Sequence, residues 1–323
     1  MRARECRSAI VSKMTTPRRR VVVAINPSAD YGAAASAAPG IVAALFAAGH
    51  DVFPLIAESF EALRLAAGAE LAAGADALVV VGGDGMVSLG ANLVAGTGIP
   101  MAVIPAGTGN DTARGLGIPV DDSDSAVRML VDALDRDPRT IDAGRVTRAD
   151  GSERWFVGVL SAGFDAIVNE RANRMRWPRG PRRYTLAIAW ELLRFRPIAY
   201  RLVVDGVVLS RRAMLAAVAN GTSFGGGMKI TPQAELDDGM LDLFLVAPMT
   251  KARFVRLFPR VFAGNHVTND AVTIVRAQRL RLDAEVGPGA VVAYADGERL
   301  GHLPLDVEVV PGALRVFAPP PAK

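Results

Sequence analysis

The chain has one cysteine, Cys6, and three histidines, His50, His266 and His302, among 323 residues. A single thiol excludes a disulfide framework or a multi-thiolate metal site within the chain and fits a reducing cytosol. The histidines are widely separated and adjoin no motif, which argues against a histidine metal cluster or a Ser-His-Asp triad. Proton transfer, if there is any, falls to carboxylates. Long hydrophobic runs are also missing, since none approaches the roughly 20 residues that cross a bilayer as a helix. Residues 1–20 carry Arg2, Arg4, Arg7, Lys13 and the triplet Arg18-Arg19-Arg20 without a long apolar core. They read as a disordered basic tail rather than a secretory signal, and Met14 is an alternative start.

Half of the residues are apolar, enough for two domains of ordinary size, each with its own core. The formal net charge of +4 points to an anionic partner: a nucleotide, a nucleic acid or a membrane surface.

Two glycine turns stand out, Gly82-Gly83-Asp84-Gly85 and Gly107-Thr108-Gly109-Asn110-Asp111, each directly after a short apolar run. The runs at 77–81 and 101–104 are rich in branched residues and bounded by turn formers, as buried strands are. Glycine lets bare N–H groups approach an anion, and a following helix adds a favourable dipole, so such loops suit phosphate. Asp84 and Asp111 suit the metal that accompanies phosphate. In an open parallel sheet the C-terminal strand ends line one crevice, where both loops would meet.

The first half alternates strands and helices at βαβ spacing: a strand at 21–25 ending in Asn26-Pro27-Ser28, then an alanine-rich helix to residue 48 that Pro39-Gly40 is expected to break. A strand at 52–56, a helix at 60–72 and an amphipathic helix at 123–134 complete a doubly wound α/β domain. From residue 144 the pattern becomes strand-rich, at 155–160, 201–208, 213–219, 241–246, 272–275, 291–295 and 313–317, and suggests an antiparallel sandwich. Basic amphipathic helices at 182–195 and 251–263 interrupt it. There is no internal repeat. Phosphoryl transfer also needs a base or orienting group beside the acceptor hydroxyl; Tyr294-Ala295-Asp296-Gly297-Glu298, a strand entering a tight turn, offers a candidate.

The succession of Asn26-Pro27-Ser28, Gly82-Gly83-Asp84-Gly85, Pro105-Ala106-Gly107-Thr108-Gly109-Asn110-Asp111, the run NGTSFGGGMKITPQAELDDGMLDL from Asn220, and Asp296-Gly297-Glu298 closely resembles the bacterial soluble diacylglycerol kinases, lipid kinases with a diacylglycerol kinase catalytic domain. The segment 171–178 is similar to mycobacterial and related actinobacterial members. The resemblance spans nearly all of 21–317. It implies two domains: an α/β nucleotide-binding domain like those of phosphofructokinases and NAD kinases over 21–143, to which 312–319 returns, and a β-rich sandwich-like lipid-substrate domain over 144–311. ATP would sit in the cleft between them. Asn26, Pro27, Ser28, Gly83, Asp84, Gly85, Thr108, Asn110 and Asp111 would face ATP and Mg2+. Asp296 corresponds to the general base, with Glu298 beside it as a nucleotide or orienting contact and the lesser candidate for the base. Asp238, with the main-chain carbonyls of Glu235 and Met240, corresponds to a structural magnesium site. In two departures, Met86 stands where many relatives have a hydroxyl residue, and 55–58 lacks a threonine common after the second strand.

The implied reaction makes phosphatidic acid from diacylglycerol; another lipid alcohol of sphingoid or ceramide type stays open. NAD kinase shares the GGDG turn, but the GTGND and DGE motifs are closer to lipid kinases, and Asp84, Asp111 and Asp296 speak against a non-catalytic nucleotide-responsive membrane protein. A kinase of lipids must visit a bilayer at the inner face of the plasma membrane. Arg171, Arg174, Arg176, Arg179, Arg182, Arg183, Arg194 and Arg196, interleaved with Trp177, Tyr184, Trp190 and Phe195, suit an anionic membrane surface. Lys251, Arg253, Arg256 and Arg260 beside Phe254, Leu257, Phe258 and Phe262 are similar in composition. No recognised nucleic-acid module accompanies them. The family also implies a homodimer, with no interface legible here.

Overall fold

The computed structural model describes residues 18–26, 33–175, 177, 181–285 and 291–320. The first half alternates β1 (Arg20–Ile25), α1 (Ala33–Ala47), β2 (Asp51–Ile56), α2 (Phe60–Ala72), β3 (Ala77–Gly82), α3 (Asp84–Val94), β4 (Met101–Pro105), α4 (Asp111–Gly115) and α5 (Ser123–Leu134). Strands β1 to β4 pair in parallel in the order β2-β1-β3-β4. Val21 to Val23 and Val79 to Val81 are wholly buried, because helices cover both faces of such a sheet and leave no polar side to alternate with. Ser59 and Asp122 cap α2 and α5 by accepting the N–H groups of Ala62 and Ser125. Contrary to the sequence expectation, α1 runs through Pro39 without a break. The proline forfeits the bond to the carbonyl of Ala35, and the alanine-rich remainder carries the helix.

The second half begins with β5 (Arg139–Arg148), β6 (Glu153–Phe156), β7 (Val159–Ser161), α6 (Phe164–Arg174) and α7 (Pro181–Arg194). It continues with β8 (Ile198–Val204), β9 (Val207–Ala213), β10 (Leu215–Ala219), β11 (Leu241–Val246) and α8 (Lys251–Ala263). Last come β12 (Val272–Ala277), β13 (Arg279–Ala284), β14 (Val292–Ala295), β15 (Glu298–His302) and β16 (Leu305–Val316). An antiparallel six-stranded sheet has the order β12-β11-β10-β7-β14-β15. Its Val218, Leu243 and Ala293 share one buried cluster with Leu202, Leu280 and Val307 from β8, β13 and β16, which makes this half a sandwich. The architecture is thus an α/β domain followed by a β-rich one.

β16 ties the halves together. It pairs with β13 and β5, and at its end Val316 lies in register with Met101 of β4, so one ten-stranded sheet runs from β2 to β9. Two expected strands divide. The stretch 201–208 contains a hairpin whose turn residues, Asp205 and Gly206, have φ of 45° and 87°, the left-handed pair of a tight two-residue turn. The stretch 155–160 is interrupted at Val157-Gly158, where the chain leaves the ladder to serve the site described next. The strands β5, β13 and β15 and the helix α6 had no counterpart in the sequence reading.

Candidate active site

β3 and β4 lie side by side, so their C-terminal ends deliver both glycine turns to one edge. The turns touch: a Cβ built on Gly107 would fall 2.4 Å from the Cα of Gly83, so only glycine permits this approach. Asn110, at φ 53°, closes the second turn on itself. Its Oδ1 accepts the Gly107 N–H at 3.0 Å and its Nδ2 donates to the Gly107 carbonyl at 2.7 Å. Thr108 is exposed at the tip. Asn26 follows β1 and donates its N–H to the Val81 carbonyl at 3.2 Å, beside Gly82. Pro27 and Ser28 lie outside the described residues.

The two acids of the turns act as cross-braces. Asp84 reaches the start of α4, accepting from the N–H of Asp111 at 3.3 Å and of Thr112 at 3.1 Å. Asp111 reaches into the second half, accepting from Gly226 and Gly227 at 2.7 Å each, with Arg114 Nη1 at 3.1 Å. Burial raises the proton affinity of Asp111, Asp84 adds to that, and the two glycine N–H groups and Arg114 oppose it. A Cβ built on Gly109 would meet Asp84 Oδ2 at 2.8 Å and Asp111 Oδ2 at 3.4 Å, so two carboxylate oxygens converge on one glycine. Each retains unused lone pairs. Hard oxygens on one or two carboxylates, completed by phosphate oxygens, are the donor set that fits Mg2+.

Asp296 comes to these turns from the second half of the chain, near enough to feel the Asp84 charge. It is the first turn residue between β14 and β15, at φ 48°, and is only 8 % exposed. Its Oδ2 accepts the Val157 N–H at 2.7 Å, and Oδ1 accepts those of Gly158 and Val159 at 2.9 and 3.1 Å. These are the amides left free where β6 and β7 part. Burial pushes the Asp296 carboxyl up to about 7, aided by the nearby Asp84 charge and resisted by the three N–H groups. A Cβ on Gly158 would sit 2.8 Å from Asp296 Oδ1 and 3.6 Å from Thr112 Oγ1. Asp296, Thr112 and Asp84 therefore form one continuous wall. Glu298, exposed at the residue level, lays its carboxyl against α3, with Oε1 3.2 Å from a Cβ built on Gly85. That desolvation raises its proton affinity.

The turn of Glu235, Asp238 and Met240 has partners of its own. Glu235 is exposed, while Asp238 Oδ1 accepts the Met240 N–H at 2.9 Å and Oδ2 pairs with the Arg276 guanidinium. Among the described residues no group of three or more His, Cys, Asp or Glu side chains could hold a metal. A carboxylate already neutralised by a guanidinium does not fit a divalent ion unless Arg276 moves. The turn is instead organised by Asp142 of β5, which accepts from Gly239 at 2.7 Å and from Gly312 at 2.8 Å. Asp142 and Thr112 were not singled out in the sequence, and Gly226 and Gly227 entered only within the run from Asn220, without a role, since their partners lie far along the chain.

Among the described residues no helix is long and apolar enough to cross a membrane. Trp177 is 80 % exposed and Trp190 44 %, with the guanidiniums of Arg194 and Arg171 at 3.8 and 5.5 Å from the Trp190 ring. On α8, Val255, Phe258 and Phe262 form an exposed apolar stripe at helical spacing. Arg176 and Arg179 lie outside the described residues.

Residues 20–146 match the diacylglycerol kinase catalytic domain, and residues 158–318 match the YegS C-terminal NAD kinase beta sandwich-like domain. A diacylglycerol kinase of Mycobacterium tuberculosis H37Rv is 42% identical over 301 residues, covering 93% of this chain and 95% of the relative. One from Bacillus subtilis strain 168 is 28% identical over 232 residues, covering 71% and 73%. A crystal structure of a diacylglycerol kinase from Bacillus anthracis Sterne shares the fold at a TM-score of 0.70 and 22% identity, covering 94% of this chain and 98% of that one. Both domains follow in the order seen here, and the mycobacterial likeness extends over nearly the whole length, so the chain belongs to the bacterial diacylglycerol and lipid kinase family.

Proposed function

We propose that this protein is an ATP-dependent lipid kinase that phosphorylates the free hydroxyl of diacylglycerol to give phosphatidic acid. The observation that carries the reading is the single wall formed by Asp296, Thr112 and Asp84, which joins a carboxyl near neutrality to the acid of the first glycine turn. The 42% identity to the mycobacterial diacylglycerol kinase supports the same choice of acceptor.

In this reading Asn26, Pro27, Ser28, residues 82–85 and residues 107–111 bind ATP. Asp84 and Asp111 would hold the accompanying Mg2+, which would neutralise charge on the phosphate oxygens. An ionised carboxylate has about four acceptor positions, and Asp296 uses three on main-chain N–H groups, two of them at Oδ1. The remaining position, on Oδ2, accepts the lipid hydroxyl. The hydroxyl oxygen forms its bond to the γ-phosphorus as the bond from that phosphorus to the β,γ-bridging oxygen breaks. The proton passes to Oδ2 and ADP leaves. A base titrating near 7 is matched to a cytosolic pH, and Glu298 orients the nucleotide side. The domain boundary falls near residues 143 and 144, with 312–319 completing the first domain.

Trp177, Trp190 and the α8 stripe, rimmed by arginines, dock reversibly on an anionic bilayer at the inner face of the plasma membrane, each cation adding about 1 kcal/mol. The test is transfer of label from ATP to detergent-dispersed diacylglycerol, ceramide, sphingosine and NAD in parallel, with and without Mg2+. Labelled phosphatidic acid is expected only with diacylglycerol and Mg2+. Label on NAD alone, or on no lipid, refutes the reading.

A further inference from the structure

Asp296 sits on a hairpin that the sheet itself holds weakly. Among the described residues β15 is the edge strand and pairs only with β14, and β14 meets β7 at two positions, Tyr294 opposite Ser161 and Ala295 opposite Leu160. The ladder is irregular between Ala293 and Tyr294. Beyond the main-chain bond from the Asp296 N–H to the Val159 carbonyl at 3.2 Å, the turn is moored by the Asp296 carboxylate on the amides of residues 157–159. That same carboxylate has to take up a proton during the reaction, and a protonated carboxyl is a poorer acceptor for those amides. A second side-chain mooring, independent of Asp296, would keep the turn in place through the cycle.

Glu170, on the face of α6 that packs on this hairpin, provides one. Its Oε2 accepts the Tyr294 hydroxyl at 2.6 Å and Arg299 Nε at 3.2 Å, so a single oxygen grips both strands on either side of the Asp296 turn. Its Oε1 is held by Arg174 at 2.6 Å. Tyr294 is 3 % exposed and clusters with Val292 and with Ala166 of α6, which fixes the ring behind the hydroxyl. The Tyr294 hydrogen bond, with help from Arg299 and Arg174, lowers the Glu170 carboxyl, so the grip is ionised at neutral pH. α6 is itself anchored, since Phe164 in its first turn packs edge-on against Phe195 and Phe254, at 5.1 and 5.5 Å between ring centres.

We propose that Glu170 is a positioning residue of the kinase, acting through Tyr294 and Arg299 to hold the Asp296 turn while the Asp296 oxygens change partners. The assignment rests on the reaction proposed above for Asp296. Its test uses Glu170→Gln and Tyr294→Phe in the full chain, with two readouts. The first is steady-state kinetics: kcat is expected to fall 10- to 100-fold, the effect of an ångström-scale misplacement, while KM for ATP stays within twofold. The second is amide hydrogen exchange, expected to accelerate across residues 295–300 in both variants at an unchanged melting temperature. Tyr294→Phe deletes one hydroxyl and carries the test alone should Glu170→Gln fail to fold. Wild-type exchange rates in the hairpin, or a wild-type kcat, overturn the proposal. A wild-type protein that phosphorylates no lipid overturns the proposed reaction instead, and hairpin exchange still reports whether the grip exists.

Discussion

Asp296→Asn keeps the volume of the side chain and removes its ability to take a proton. An amide oxygen can still accept from Gly158 and Val159, but the amide nitrogen then meets the Val157 N–H, donor against donor. A buried donor left unsatisfied costs about 1–3 kcal/mol. Relief of a buried charge acts in the other direction. The folded protein keeps the Asp296 proton up to about pH 7, whereas an unfolded chain releases it near 3.8. Between those values the unfolded chain binds fewer protons, so wild-type stability falls as pH rises from about 4 to about 7 and then levels. At about 1.4 kcal/mol per unit the full span is on the order of 4 kcal/mol. The variant lacks this ionisation, so it is less stable than wild type at low pH, and the gap narrows or reverses toward pH 8. Turnover shows the complementary pattern. Loss of a general base lowers kcat about 10²-fold or more, and wild-type kcat/KM, which reports the free enzyme, climbs with pH until about 7 while that of the variant is flat in that limb. Chemical denaturation and lipid phosphorylation, both followed from pH 5 to 8, measure the two effects. Parallel stability curves for the two proteins, or a variant kcat within tenfold of wild type, would refute the assignment.

The sequence exposes what depends on near neighbours. The valine runs of β1 and β3 are legible because burial on both faces leaves an unbroken apolar stretch, and α5 and α8 have the bounds their capping residues Asp122 and Thr250 announce. Interruptions with distant causes are not legible. The apolar run at 155–160 reads as one strand, and it is two because its amides turn to a carboxylate 139 residues further on. Asp84 and Asp111 were read as ligands for a cation. Their oxygens also brace α4 and the Gly226-Gly227 turn, which no local pattern could disclose. Asp296 looks like an ordinary solvated hairpin tip until the sandwich encloses it, and only then does its proton affinity rise toward neutrality. Residue types and order were enough to identify the chemistry; the electrostatics needed the packing.

Two further substitutions probe separate parts of this scheme. Gly107→Ala drives a methyl group into the backbone of Gly83, at 2.4 Å from its Cα and 2.9 Å from its N, where no side chain can yield. Overpacking of this kind costs about 1–3 kcal/mol, so KM for ATP should rise roughly 10- to 100-fold; an unchanged KM would show that the contact between the turns is dispensable for nucleotide binding. The other concerns the Glu235–Met240 turn, where the Arg276 guanidinium pairs with the Asp238 carboxylate. Chelation by EDTA should leave the wild-type melting temperature unchanged, because the Asp238 carboxylate is already paired. Arg276→Ala should lower it, since burial already raises the Asp242 carboxyl and Asp238 adds to that, with Arg276 the charge that opposes both. Because Arg276 is more than half exposed, the loss is modest, about 1 kcal/mol. Added Mg2+ should then restore the variant and not the wild type, because only the variant offers an unpaired carboxylate. Destabilisation of the wild type by EDTA alone would mean that a divalent ion, and not the guanidinium, holds this turn.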